Sequence, residues 1–166
     1  VWFDNVTVPK ANLLGEMGAA IEVIEMAIDK AALAVCAEAV GAMQVSLTKT
    51  VEYSKIRKQF GTTLSTFQAL QHRMANMFVE LEQSKSILLM AAMEMDRLDN
   101  RAAKALSAAK SRIGKAARLI GQESIQIHGG IGVTDELDVG HYFKRLTAIQ
   151  FSFGSTDYHT MRFANA

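Results

Sequence analysis

Arg57-Lys58-Gln59-Phe60-Gly61 and Gln126-Ile127-His128-Gly129-Gly130-Ile131-Gly132 decide how the chain is read. Each is a short glycine-ended run that closes a long apolar segment of helical period. Glycine supplies the left-handed residue that ends a helix, and two adjacent glycines strip side chains from one face of a turn. Backbone bared in this way admits a close ligand, and Arg57 beside it suits a phosphate, so a polyanionic cofactor is one reading. Two ordinary helix ends are the other, and on spacing alone the plainer one.

Outward from these runs, residues step by three and four along the chain. Met26, Lys30, Leu33, Ala37 and Val40 trace a helix from about Ile21 to Phe60, with Gly61 as its end. Ser65-Thr66-Phe67-Gln68 reads as a capping box opening a second helix. Leu70, Met74, Met77 and Leu81 form its inner face, and Met90 and Met93 read as adaptable core. Asp99 or Asn100 suits the N-cap of a third helix. Along it Leu106, Ala109, Ile113, Ala116 and Ile120 face inward, and Lys104, Lys110, Arg112, Lys115 and Arg118 make a solvated face or, alternatively, a phosphate contact. Gly129-Gly130 ends it. Residues 136–147 suit a short helix, and Gly154 separates that from a last one over 155–166. The expected fold is all-α, an antiparallel four-helix-bundle-type domain over 16–166.

Residues 1–15 read differently. Val6-Thr7-Val8 alternates, Pro9 fixes a turn, and Asn12 to Gly15 is loop chemistry. As a strand the segment has no partner in this sequence, so it reads as a linker or last strand from a β-domain outside the chain.

Composition narrows the function classes. The 166 residues suit one domain with a real core. An apolar content of 49%, aromatics at 7% and a single proline, Pro9, point to helix. A net charge of +1 exerts no long-range pull on nucleic acid or anionic membrane. No run of ~18 apolar residues spans a bilayer, and no export signal opens the chain. Cys36, the single cysteine, suits a reducing, cytoplasmic setting and reads as a small core residue. His72, His128, His141 and His159 lack metal-ligand spacing. There is no G-x-S-x-G and no P-loop, and Gly129-Gly130-x-Gly132 follows a helix, unlike a dinucleotide fingerprint.

Four stretches in order carry a resemblance. Glu52-Tyr53 through Gly61, then Phe67-Gln68, then Gln126 through Gly132 resemble the C-terminal helical domain of the acyl-CoA dehydrogenases. Phe3-Asp4-Asn5-Val6-Thr7-Val8-Pro9 with Asn12-Leu13-Leu14-Gly15 resembles the linker by which that family leaves its middle β-domain. The likeness implies FAD-dependent α,β-dehydrogenation of acyl-CoA thioesters by a longer, oligomeric protein, with electron-transfer flavoprotein as a partner.

It also implies sites. Arg57 takes the place of an arginine that contacts the FAD pyrophosphate of a neighbouring subunit, a role suited to a planar guanidinium. Gln59 and Phe60, then Leu64, Phe67 and Gln68, match positions around the adenine end. Gln126, Gly129 and Gly130 match residues over the pyrophosphate. The family's Gly-Thr-x-Gln is here Gly154-Ser155-Thr156-Asp157. Ser155 keeps a hydroxyl, whereas Asp157 sets a carboxylate near phosphate, which repels it.

No catalytic base occupies its expected place. The family removes an α-proton with a glutamate while the β-hydride passes to flavin N5. The two positions that glutamate takes are Phe153 and Ala31 here, and the arginine after the second is Ala32. Losing a positioned base costs ~10²–10⁴ in rate. Asp29 turns to a different helix face, and Glu38 lies roughly 10 Å along the axis from Ala31; both stand as substitute bases. The family's Arg-Asp pair before the last turn is Lys144-Arg145. The run from Thr134 to Arg145 resembles the small subunits of pimeloyl-CoA-type dehydrogenases, which pair with a base-containing paralogue. A base-lacking subunit with a shared FAD site is therefore the expectation. A homomeric enzyme with an unrecognised base and a flavin-free helical scaffold are the alternatives.

Overall fold

The computed structural model describes residues 1–97 and 101–165. Its middle is the third helix, α3 (Ala102–His128), against which α1 (Ala20–Ile56), α2 (Gln68–Arg97), α4 (Val139–Phe151) and α5 (Thr156–Ala164) all pack. A helix touched from several sides must bury more than one stripe, and α3 is buried at points from Ala105 to His128. Small residues let its neighbours close in. A Cβ on Gly114 would stand 2.4 Å from Thr156 Oγ1, and one on Gly121 would stand 3.1 Å from Phe143 Cδ2. Glycine inside a helix costs about 1 kcal/mol relative to alanine, which the close seating of α5 and α4 offsets.

The expected all-α bundle is what forms. Met43 and Leu47 of α1, Met77 and Leu81 of α2, Ile113 and Ile120 of α3, and Leu146 and Ile149 of α4 make one core. Each such side chain contributes about 1.5–3 kcal/mol on burial. Cys36 is fully buried among them, and burial pushes its thiol up to about 11. Buried hydroxyls on α1 bond their own helix: Thr50 Oγ1 donates to the Ser46 carbonyl and Ser54 Oγ to that of Val51, both at 2.7 Å. Arginine–carboxylate pairs tie the helices outside the core, Arg73 to Glu123 and Arg112 to Glu80 between α3 and α2, and Arg145 to Glu38 between α4 and α1.

Several expectations are corrected. α1 ends at Ile56, short of Phe60, because Arg57 turns to an extended conformation (φ −69°, ψ 125°). Lys58–Gln59 (β1) then pairs antiparallel with Thr62–Thr63 (β2) around the two-residue loop Phe60-Gly61. Both loop residues have positive φ, 54° and 82°, the pattern of a tight hairpin turn matched to strand twist. Gly61 is thus a hairpin residue, not a helix cap. The capping box does not form, since Ser65 sits in a 3-10 turn, Leu64–Thr66, with its Oγ 3.2 Å from Thr63 Oγ1. The glutamine that reaches back is Gln71, whose Nε2 donates to the Ser65 carbonyl at 2.7 Å.

Met90 and Met93 are 43% and 53% exposed, because the inward stripe of α2 runs instead through Met77, Leu81, Ser84 and Ala91. Lys110 leaves the solvated face assigned to it. It shares the stripe of Leu106, Ile113 and Ala117 and is 1% exposed. The helix expected over 136–147 occupies 139–151. Gly129 (φ 67°) does cap α3, and Ser155 caps α5 by accepting the Tyr158 amide at 3.1 Å. Asp99 and Asn100 lie outside the described residues. Val6-Thr7-Val8 pairs with no strand among the described residues, and residues 1–28 are exposed throughout.

Candidate functional site

The residues expected at a cofactor fall into two groups at different heights along α3. The first stands at its C-terminal end. Tyr53, one turn before Arg57, stacks on His128 with ring centroids 4.4 Å apart, and its hydroxyl donates to the His128 carbonyl at 3.3 Å. His128 is itself fixed, its Nδ1 donating to the Ser124 carbonyl at 2.8 Å. This joint ties the last turn of α1, from which the 57–63 hairpin leaves, to the C-terminal end of α3. The Arg57 carbonyl accepts the Leu64 amide at 2.9 Å, closing the hairpin's base.

Arg57, Gln59, Phe60, Gln68, Gln126, Gly129 and Gly130 are all exposed, and Leu64 and Phe67 are half-buried. Phe60 meets Phe67 edge to face at 6.2 Å. No hydrogen bond or ion pair among the described residues engages the Arg57 guanidinium. An uncommitted cation beside bare backbone and an exposed aromatic ring fits a phosphate joined to a stacking base.

The second group lies where α5 crosses α3. Gly114, Lys115, Arg118, Gln150, Ser155 and Asp157 line a cleft of about 300 Å³. Lys115 and Arg118 are exposed, with no ion pair among the described residues, so they offset the Asp157 carboxylate at the mouth of the cleft. The α5 N-terminus adds its own positive end. Gly114 touches Thr156, whereas Gly129 caps α3, and fifteen residues of helix separate them by about 22 Å. One chain therefore does not bring Ser155 and Asp157 to the same phosphate as Arg57, Gln126 and Gly129.

The turn that leads into α5 is held from within. Phe153 (φ 55°) and Gly154 (φ 104°) are both left-handed, a conformation that costs roughly 1–2 kcal/mol for a residue with a side chain. His159 Nε2 donates to the Phe153 carbonyl at 2.9 Å, and Nδ1 lies 3.3 Å from Ser107 Oγ. Burial holds this imidazole below its ordinary value, against the Phe153 carbonyl and helped by the Lys110 and Arg162 cations. Lys110 Nζ donates to the carbonyls of Ile149 at 2.8 Å and Gly154 at 3.1 Å, with Gln150 at 3.5 Å. Burial lowers its pKa. The negative end of α4 receives the charge, a placement worth up to ~2 kcal/mol. The sequence reading puts Lys110 on a solvated or phosphate-contacting face and gives His159 and Gly114 no role at this turn, yet the step 106, 110, 113, 117 puts Lys110 on the buried stripe.

At the two positions where a base is expected the side chains are apolar, and both carboxylates weighed as substitutes are held by arginine. Phe153 presents a ring that is 44% exposed, and Ala31 is half-buried. Both carboxylate oxygens of Asp29 accept from Arg162, at 2.6 and 2.7 Å, and both of Glu38 accept from Arg145, at 2.5 and 2.8 Å. The Arg145 hydrogen bond holds the Glu38 carboxyl below the usual carboxylate range, which weakens it as a proton acceptor. Among the described residues no group of histidine, cysteine and carboxylate could hold a metal, and no helix is long and apolar enough to cross a membrane.

Comparison with known proteins gives a consistent picture. The family described as acyl-CoA dehydrogenase, C-terminal domain, matches residues 18–166. The short-chain specific acyl-CoA dehydrogenase of Sus scrofa mitochondria is 32% identical over 149 residues, covering 89% of this chain and 36% of its own. The caffeyl-CoA reductase–Etf complex subunit CarC of Acetobacterium woodii is 34% identical over 141 residues, 85% of this chain and 37% of its own. A crystal structure of an FAD-dependent dehydrogenase superposes with a TM-score of 0.92 at 33% identity, over 99% of this chain and 44% of that one. The chain spans less than half the length of each.

Proposed function

This chain belongs to the acyl-CoA dehydrogenase family, as its C-terminal domain, and we propose that it serves a longer FAD-dependent acyl-CoA dehydrogenase subunit that lacks a base of its own. The observation that carries this reading is the division of the cofactor residues along α3. Arg57, Gln59, Phe60, Leu64, Phe67, Gln68, Gln126, Gly129 and Gly130 form one half-site, and Ser155 and Asp157 with Lys115 and Arg118 form another about 22 Å away. A flavin dinucleotide touched by both kinds of half-site lies between two chains, so the domain assembles the oligomer and the cofactor site together. When bound, FAD accepts the hydride removed from the acyl β-carbon. The chain's residues contribute phosphate charge, a stacking surface and a fixed turn.

The exposed apolar residues Trp2, Phe3, Ile21, Val23 and Ile24 support a preceding β-domain that covers them, with residues 1–15 as its link. Phe153 and Ala31 at the base positions, with Asp29 and Glu38 both engaged by arginine, support a partner subunit that supplies the base. The run from Thr134 to Arg145 favours a pimeloyl-CoA-type pairing, and electron-transfer flavoprotein is the expected electron acceptor. Arg57→Ala in the full-length protein tests the site: FAD content should fall while the fold is kept. Unchanged FAD content in that variant would contradict the assignment.

A further inference from the structure

Two of the largest fully buried side chains are polar, Lys110 and His159, and neither would touch the cofactor in that reading. Lys110 lies on an apolar stripe where methionine would match its volume, and its hydrogen-bond acceptors are main-chain carbonyls just before and within one turn. His159 is 1% exposed and spends its Nε2–H on the carbonyl of Phe153. Both reach the same place from different elements, Lys110 from α3 and His159 from α5.

We infer that Lys110 and His159 are positioning residues for the 152–155 turn, fixing where Phe153 and the N-terminus of α5 stand against the cleft beside Lys115 and Arg118. The two carbonyls they hold, those of Phe153 and Gly154, belong to the two left-handed residues, so neither peptide plane can swing outward without losing a partly buried hydrogen bond. Thr156 seated on Gly114 is the third anchor, because there is no Cβ to push it off. The neutral Nε2–H tautomer of His159 suits this work. It donates to Phe153, accepts from Ser107, and adds no second positive charge beside Lys110. A turn held this way keeps an apolar ring at the position from which the family's base would act. Its functional meaning rests on the flavin reading above; its geometry does not.

The test uses the full-length protein and its complexes, with His159→Leu, the conservative His159→Gln and Lys110→Met, each followed two ways. Amide hydrogen exchange reads the turn itself. His159→Leu and Lys110→Met should speed exchange over residues 153–157 about tenfold while α2 stays protected, and His159→Gln should restore protection. The visible spectrum and FAD dissociation read the site. The same two variants should shift the flavin band and weaken FAD about tenfold, again with rescue by His159→Gln. Unchanged exchange, or faster exchange spread evenly over every helix, overturns the inference, as does a loosened turn with unaltered flavin. Should Lys110→Met fail to fold, the two His159 variants decide. A wild-type protein without flavin in any complex overturns the flavin reading instead, and exchange alone then judges the turn.

Discussion

Phe60-Gly61 and Phe153-Gly154 are the same dipeptide in the same left-handed corner, with φ of 54° and 82° in one and 55° and 104° in the other. Their surroundings differ. The first turn is carried by its own strands, in the register Gln59 to Thr62 and Lys58 to Thr63, and a Cβ added at Gly61 would meet nothing within 4 Å. The second is carried by distant residues: a Cβ at Gly154 would stand 2.6 Å from Tyr158 Cδ1 and 2.7 Å from His159 Nε2. A hairpin turn is self-sufficient, so it can project Phe60, which is 91% exposed, into open space. A helix-to-helix turn with no ladder of its own needs Lys110 and His159 to hold it.

The sharpest way to break this comparison is to add one methyl group to each turn. Gly154→Ala should cost about 3 kcal/mol, combining left-handed strain with overpacking, while Gly61→Ala should cost about 1 kcal/mol from strain alone. Urea unfolding of both variants reads the difference, and equal losses would mean that the 153–154 turn is no better anchored than the hairpin.

Next in size is Arg57→Ala. Losing a charged hydrogen bond to phosphate is worth roughly 1.5–3 kcal/mol, so FAD affinity should drop about 10- to 100-fold with no change in the melting temperature of the FAD-free protein. Isothermal titration and thermal melts check both halves of that statement.

A smaller effect separates the turns by pH. The folded His159 pKa lies below the ordinary 6.5, so the unfolded chain binds more protons between the two values. The stability that neutral His159 contributes is complete above pH 6.5 and falls as pH drops from there towards the folded pKa. Lys110 of α3 and Arg162 of α5 oppose its protonation, and Asp29 of α1 favours it. Stability measured across that window should slope in the wild type and flatten in His159→Gln. The smallest change expected is Glu38→Gln. Its pair with Arg145 is half-exposed on both sides, so the melting temperature should hold, since such pairs contribute little.

What was legible in the sequence follows the same division. Helix content, the core face of α3, Cys36 as a core residue and the Gly129 cap could be read because they depend on spacing within one element. Of the α1 residues Met26, Lys30, Leu33, Ala37 and Val40, by contrast, only Val40 is buried, the core face running instead through Cys36, Met43 and Leu47. The hairpin was hidden inside an apolar period that ran on to Phe60, and only the reversal at Arg57 reveals it. The 152–155 turn was harder still. Lys110 lies 44 residues from Gly154, and charge alone suggests solvent for it. Gly114 was the available clue, since a glycine inside a helix implies a close neighbour. The residues proposed for the half-site at Arg57 come residue by residue from a resemblance, but the distance of Arg57 from Ser155 is a property of α3's length that no motif states.

The most direct test of a base-lacking subunit is anaerobic titration of the full-length protein, purified alone, with medium-chain and dicarboxylic acyl-CoAs while flavin absorbance is followed. The expected result is bound flavin that stays oxidised until a base-containing partner subunit is added, and then bleaches. Bleaching by the protein alone would contradict the account, because a proton would then have been taken by a group within the same subunit.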